Sequence, residues 1–350
     1  MIVKIPNITP QTFQTDHIHR LTNSVGIFQH AKFSSPNFHH GYCLDDNVRA
    51  LQLLILAANK NILKNEDHRL IDTYISYIYY MQNDDGSFKN FLSFQNTYLD
   101  ERSCHDAFGR TIYALGITMQ STTNKHVFSI AKEIMDKSYD IIDSITSIRA
   151  VSYALCGLYA CYTSQNYDKP LKQTIKKLAD FIANEYKNNK HQNWNWFEKI
   201  ITYDNAIIPY ALILANEINE NNDWKQIIID STIFLDGILF KENYLQVIGN
   251  DGWFTPNCKS RNIGQQPIEI PALILLYKKL NASYPQNTYK GSAHKCYDWF
   301  FGLNSAESVL FDVDTKGCCD GLDGDIVNLN QGAESTISFW QSYIYMQSAF

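Results

Sequence analysis

The stretch Leu99-Asp100-Glu101-Arg102-Ser103-Cys104-His105-Asp106-Ala107-Phe108-Gly109-Arg110 runs into Thr111-Ile112-Tyr113-Ala114-Leu115-Gly116. Three carboxylates and a histidine sit in a turn that empties into an apolar, small-residue helix. Charge at the head of a buried helix is costly to desolvate, so the turn reads as a place with a chemical purpose. The device recurs along the chain. Asp45-Asp46-Asn47 precedes the apolar run 48–58, and Ser147 opens 147–162, where Ala150, Ala154, Gly157 and Ala160 allow close approach. Tyr203-Asp204-Asn205-Ala206 starts a helix through Leu214, and two more open at Glu269 and Glu334.

Helices that are apolar all round are interior helices. Between them lie segments of the opposite kind. Residues 126–139 carry one stripe (Phe128, Ile130, Ala131, Ile134, Met135) backed by Lys132, Glu133, Asp136 and Lys137, and 171–184 repeat the pattern with Leu171, Ile175, Leu178 and Ile182. These are half-solvated outer helices. The interior starts are about 41 to 65 residues apart, the size of a helical hairpin with its loops. Six interior starts, mostly followed by an outer helix, predict an all-α fold, an (α/α)6 toroid with six inner helices ringed by six outer ones. Short β-hairpins are expected at one mouth, near Phe88, Trp196 and Trp253, where Asp-Gly turns and alternating aromatics punctuate the text. No Pro/Gly/Ser linker or break in composition appears, so residues 1–350 read as a single domain. Within it 1–40 form an irregular N-terminal segment, whose helix over 16–23 is available to complete the sixth pair.

Composition narrows the function classes. Hydrophobic residues make up 45% of the chain and aromatics 13%, enough for a large core and against disorder. A net charge of -6 and a pI near 5.9 leave no basic footprint for nucleic acid or an anionic membrane. Residues 1–10 lack a continuous apolar signal core, and the 8 cysteines include no C-x-x-C pair. That usage predicts a reduced, cytoplasmic protein without a disulfide framework or zinc knuckle. No G-x-G-x-x-G, Walker loop, H-E-x-x-H or G-x-S-x-G occurs, so no cofactor is expected. No metal is expected either: His39-His40 with Asp45-Asp46 offer ligand types, but loop histidines beside acids read as ordinary polar surface.

The candidate chemistry is carboxylate chemistry. Inner helices that run the same way bring their starts to one mouth, where acids also meet the favourable end of the helix dipole. Asp is a preferred N-cap, so capping explains Asp46, Asp106 and Asp204 as readily as function does. Glu is a poor cap, which strengthens Glu269 and Glu334. Glu101 and His105 crowd Asp106 beyond any capping need. A second line is aromatic: Tyr42, Trp194, Trp196 and Trp253 fall just before inner helices, beside Gln265, Gln266 and Gln331. Such rings are either core or apolar platforms, and platforms beside short polar side chains suit a neutral, hydroxyl-rich ligand.

The segments Gly41-Tyr42-Cys43-Leu44-Asp45-Asp46-Asn47-Val48-Arg49-Ala50, Asp106-Ala107-Phe108-Gly109-Arg110, Trp196-Phe197-Glu198, Tyr203-Asp204-Asn205-Ala206, Gln266-Pro267-Ile268-Glu269 and Asn330-Gln331-Gly332-Ala333-Glu334-Ser335 resemble the (α/α)6-toroid carbohydrate-active enzymes. More closely, they resemble a bacterial family often labelled glycosyltransferase or glycosyltransferase-associated and found near β-mannoside phosphorylases. The resemblance spans 41–335 and implies a sugar-processing enzyme. Its expected form is an inverting glycoside hydrolase acting on a neutral oligosaccharide, such as a mannose- or glucose-containing one. Hydrolysis needs one carboxyl to protonate the leaving oxygen and another to activate water. Asp106 and Asp204 are the first candidates, then Asp46, Glu269 and Glu334. Tyr42, Asp45, Glu101, His105, Arg110, Trp194, Trp196, Glu198, Trp253, Gln265, Gln266 and Gln331 are candidates for binding substrate. Two alternatives stay open: a sugar epimerase or isomerase using histidines among His39, His40, His105 and His191, and a non-catalytic glycan-binding protein whose acids only cap helices.

Overall fold

The computed structural model describes residues 9–258, 262–284 and 288–347. Residues 1–8 of the N-terminal segment therefore lie outside the description. Among the described residues there are twelve α-helices: α1 Asp16–Leu21, α2 Leu44–Asn59, α3 His68–Met81, α4 His105–Ser121, α5 Lys125–Ser138, α6 Ile148–Ser164, α7 Leu171–Asn189, α8 Ile207–Ile218, α9 Asn222–Leu239, α10 Glu269–Ser283, α11 Thr288–Asp298 and α12 Ala333–Met346. The chain divides into two compact units, Thr12–Ala179 and Asp180–Phe350 with Met1–Gln11.

In the first unit α2, α4 and α6 are buried on almost every side, as an apolar shaft requires. They pack side by side, and glycines set the spacing of α4 against α6. A methyl group at Gly109 would strike the Ala150 backbone, one at Gly116 the Gly157 carbonyl, and one at Gly157 the Ile112 carbonyl. The two helices run parallel. Asp106 meets Ser147 at their starts, and Gln120 Nε2 donates to Thr163 Oγ1 at their ends (2.7 Å). Around them, α3 and α5 bury one face each. In α5 that face is Val127, Ala131, Ile134 and Met135, and the side chain of Asn124 caps the helix by accepting from the His126 and Val127 amides.

In the second unit α8, α10 and α12 are the buried shafts, with α9 against α8 and α11 against α10. They too run parallel. Glu269 meets the turn before α8, Lys279 pairs with Glu217 where α10 and α8 end (2.9 Å), and Lys278 Nζ donates to the Tyr345 carbonyl at the end of α12 (2.8 Å). A small antiparallel sheet (Ile263–Gln265, Gly321–Asp323, Ile326–Asn328) ties the entrances of α10 and α12 together.

Strand content is lower than expected at all three places. Residues 193–198 hold a single bridge, Trp194 with His191, instead of a strand. Asn193 has φ +67°, which breaks the alternation, and the Trp194 indole N–H donates to the Glu198 carbonyl (2.7 Å). Side chains thus take the backbone partners that a second strand would have supplied. Near Phe88 and Trp253 single bridges occur, Gln82 with Phe88 and Ile201 with Phe254. Pro267 precedes α10, and Pro271 occupies its first turn, where the missing N–H costs nothing.

Candidate active site

None of the three aspartates proposed as caps is an N-cap. The caps of α2 and α4 are Cys43 and Cys104, and α8 begins after Ala206. Asp46 sits in the first turn of α2, buried, and the Cys43 thiol bridges to its Oδ2 (2.9 Å) while accepting from its backbone N–H (3.3 Å). Burial, with the neighbouring carboxylates Asp46 and Asp45, pushes the Cys43 thiol up, so it stays protonated and donates. Asp45 bridges two helices, pairing with Arg49 Nη2 (2.8 Å) and with Arg110 Nε of α4 (3.0 Å). Burial pushes its carboxyl up, but the two guanidiniums outweigh it and hold the group below the usual range. Arg110 in turn lies over the Tyr153 ring, 4.1 Å from its centre. Tyr42 is buried and stacks on Phe28 at 4.7 Å, and its hydroxyl accepts from Asn23.

The opening turn disperses its charges instead of crowding them onto Asp106, which corrects the expectation for Glu101 and His105. The Asp100 carboxylate takes the Asn90 and Phe91 amides, and Arg102 pairs with Asp85. Glu101 is exposed, and His105 uses Nδ1 to accept the Thr146 N–H (3.2 Å). Asp106 is half-buried and accepts the Ser147 hydroxyl at 2.5 Å.

In the second unit the decisive contact is between Asp204 and Glu269. Both are buried, at 4% and 2% exposure. The Glu269 carboxylate accepts from the Asp204 amide (2.5 Å), the Asn205 amide (3.4 Å) and Asn205 Nδ2 (3.3 Å). Asp204 has φ +46°, in the left-handed region that costs a non-glycine residue about 1 kcal/mol. Glu269, the first residue of α10, thus grips a strained turn at the head of α8. Beside that turn Tyr203 and Trp253 form a half-exposed ring pair with centres 6.2 Å apart.

Other expected binding residues divide sharply. Trp196 has no accessible surface and Trp194 is 2% exposed. Trp196 packs edge-on to Phe197, and Trp194 stacks with Phe254. Neither ring offers a face to a ligand, so the platform role is corrected for both, whereas Trp253 keeps a partly open ring. Glu198 is half-buried, and its carbonyl receives the Trp194 indole. Gln265 is buried and donates to Ser305 (2.8 Å), while its Oε1 meets no hydrogen-bond partner. Gln266 accepts from Asn250 (3.4 Å). Gln331 is a brace: its Oε1 accepts from Thr315 and its Nε2 donates to Asp312 (2.7 Å each).

Glu334 is half-buried in the first turn of α12. Next to it Asp320 accepts from the Gly332 amide (2.7 Å) and the Ser335 hydroxyl (2.8 Å). Asp320 and Tyr203 escaped the sequence reading. Tyr203 lay inside the motif quoted for Asp204, whereas nothing in the Gly- and Asp-rich loop around Asp320 set it apart from turn residues. Of the histidines in this unit, His191 is exposed against Trp194 and His294 lies on α11. Among the described residues no group of three His, Cys, Asp or Glu side chains is placed to hold a metal ion, and no helix is long and apolar enough to cross a membrane.

No family model matches the chain, and no curated protein matches it in sequence. Solved structures do match in shape. A D-mannose isomerase superposes with a TM-score of 0.70 at 14% identity, covering 95% of this chain and 96% of that one. A cellobiose 2-epimerase from Bacillus thermoamylovorans gives 0.68 at 11% identity, with 97% of each chain covered. A GH76 α-mannanase from Bacteroides thetaiotaomicron gives 0.64 at 9% identity, covering 94% of this chain and 92% of that one. The fold is an (α/α)6 toroid. At these identities the likeness establishes architecture, and the chemistry rests on this chain's own side chains.

Proposed function

We propose that the chain is a carbohydrate-active enzyme that cleaves glycosidic bonds with carboxyl groups, an inverting glycoside hydrolase in which Asp204 is a catalytic residue. The supporting observation is the strained Asp204 turn, held by three N–H donors onto the buried Glu269 carboxylate. Seven other described non-glycine residues share a positive φ; this one differs in carrying a buried carboxyl and in being held by a second buried carboxylate, and burying two acids together is costly. Glu269, expected as a catalytic candidate, acts in this reading as a positioning residue, because its oxygens are occupied by the turn. The second carboxyl group is Glu334, whose helix start is tied to that of α10 by the small sheet. Asp46 and Asp106 are the carboxylates at the corresponding helix starts of the first unit. In inversion, one carboxylic acid gives its proton to the leaving oxygen while the other, ionised, takes a proton from the attacking water. Trp253 and Tyr203 offer ring surface for a sugar beside Asp204.

Sugar epimerisation or isomerisation is the second reading, favoured by the named activities of two of the matched structures. That chemistry needs a base beside a carbonyl, and His105, the first residue of α4, is a histidine at an inner start. The two readings separate in one assay. Wild-type protein is incubated with manno- and gluco-oligosaccharides, and products are followed by proton NMR. Shortened sugars released with inverted anomeric configuration support hydrolysis. Sugars of unchanged length with a new C2 configuration, or converted to a ketose, overturn it. The carbohydrate reading keeps the family resemblance and the cytoplasmic setting expected from cysteine usage.

A further inference from the structure

Among the described residues of the first unit, most large apolar side chains left in solvent lie between Tyr79 and Leu99, and Phe38 stacks onto one of them. Phe38 and Tyr80 are each 50% exposed, Phe94 43% and Tyr98 36%. Their arrangement is ordered. Phe38 and Phe94 stack at 4.8 Å with planes 7° apart, backed by Phe28, and Tyr80 stacks on Tyr98 at 5.2 Å. Phe94 and Tyr98 rise from a hairpin that its own backbone pins shut, with Ser93 N donating to the Thr97 carbonyl (2.9 Å) and Leu99 N to the Phe91 carbonyl (3.0 Å). The Asp100 carboxylate fastens the base of that hairpin to the amides of Asn90 and Phe91. Gly41 (φ +61°) lies so close to the Leu92 carbonyl that no side chain fits there, which locks the neighbouring loop onto the hairpin.

Holding aromatic rings rigidly in water costs free energy that folding alone does not demand, and contiguous patches of this kind mark binding surfaces. The chemistry of this patch is selective. Tyr98 has Tyr80 stacked on it and the Lys89 ammonium over its ring at 4.5 Å, so the exposed ring surface is chiefly that of Phe38, Phe94 and Tyr80, with the exposed polar residues His39, His40, Gln95 and Asn96 beside them. A pyranose has the matching shape, since its C–H face packs on an aromatic ring while its hydroxyls stay hydrated or meet polar neighbours. The patch also leads directly to a candidate inner-helix start. Leu92 pairs with Tyr42 and Phe91 with Cys43, and the next residues enter α2 with Asp45 and Asp46.

We propose that the stacked rings carried by the 91–99 hairpin, with Phe38 and Tyr80 beside them, form a sugar-binding platform, so that the ligand is an oligosaccharide of several residues and not a free monosaccharide. This deepens the carbohydrate reading and is tested by affinity, independently of turnover. The probes are cellohexaose, β-1,4-mannohexaose and α-1,6-mannohexaose, titrated calorimetrically into the full chain beside methyl glucoside and methyl mannoside. At least one hexasaccharide binds more tightly than either methyl glycoside. Phe94→Ala and Tyr80→Ala each weaken that binding by about tenfold, the usual cost of deleting an aromatic anchor. Tyr162→Ala, which removes a comparably exposed ring from the far end of α6, leaves it unchanged. Melting curves establish that each variant is folded, and Phe94→Leu, which keeps the apolar bulk but not the ring face, substitutes should Phe94→Ala fail. Absence of binding by all three hexasaccharides overturns the proposal, as does a Kd indifferent to Phe94 and Tyr80. A wild-type dimer that Phe94→Ala splits without altering Kd also overturns it and assigns the patch to a second copy. Should the hexasaccharides bind as expected and never be cleaved, the platform stands and the hydrolase reading falls.

Discussion

Two joints between neighbouring inner helices use similar sequence text for different ends. Where α4 meets α6, an acidic turn precedes a shaft whose glycines bring the backbones into contact, and Asp106 accepts the Ser147 hydroxyl at the rim. Where α8 meets α10, the shafts carry Ile and Leu, and the acid at the head of one accepts backbone amides from the turn at the head of the other. Glu269 holds the Asp204 turn in a left-handed conformation. The first joint spends its specificity on the close approach of two helices. The second places it in the positioning of one carboxylate. An acid at a helix start is therefore not a role in itself, because the role depends on which donor the neighbouring helix presents.

The largest expected effect that would break this comparison is on turnover. Asp204→Asn keeps size and shape but cannot transfer the proton, so turnover should fall by about 10²–10⁴, the usual span for positioned proton transfer. Asp106→Asn should cost less, and an equal or larger loss at Asp106 would reverse the assignment of the two joints. Next comes the seam. Gly157→Ala drives a methyl group into the Ile112 backbone, and the helices must part. Chemical denaturation should show a loss of about 1–3 kcal/mol or more, and an unchanged midpoint would remove the glycine argument.

Glu269→Gln sharpens the contrast. An amide presents a donor where the carboxylate received N–H groups, so about 1–3 kcal/mol of stability should be lost. Turnover should drop with it, while substrate KM moves little, as befits a residue that acts through Asp204. A variant with normal kcat would leave Glu269 a structural brace only.

The smallest effect concerns pH. Burial pushes the Asp236 carboxyl of α9 up to about 6, although the Tyr277 hydroxyl donating to it pulls the other way. The folded chain thus holds this proton more tightly than the unfolded one. Its stabilising contribution is full below the unfolded value of about 4 and is lost as pH rises through about 6. Asp236→Asn, which cannot ionise, should raise Tm by a few degrees at pH 7.5 and change it little at pH 4. Burial also pushes Asp298 up to about 6, so wild-type Tm should decline across the same window. An Asp236→Asn shift as large at pH 4 as at pH 7.5 would refute the ionisation account.

Legibility in the sequence followed the range of the interaction. The alternation of inner and outer helices could be read because a helix buried on every side must be mostly apolar on every side, and α2, α4 and α6 are so apart from a few buried polar residues such as Asn47, Arg110 and Arg149. The opening of α10 at Glu269 was legible for the same local reason. Rings were harder to place. Trp196 and Trp253 stand in similar text, yet one is sealed in the core and the other is partly open, because burial depends on what packs above the ring.

Apolar periodicity, turn residues and composition by themselves determined that this chain forms paired helices with acids at the inner heads, since those signals act within a few residues. Only the tertiary structure decided what the acids do. Asp45 lies between guanidiniums of α2 and α4, and Glu269 meets a turn 65 residues earlier in the chain. A carboxylate's charge state, orientation and freedom are set by its burial and by the charges and donors near its oxygens. Those donors come from helices whose packing, not whose sequence order, makes them neighbours.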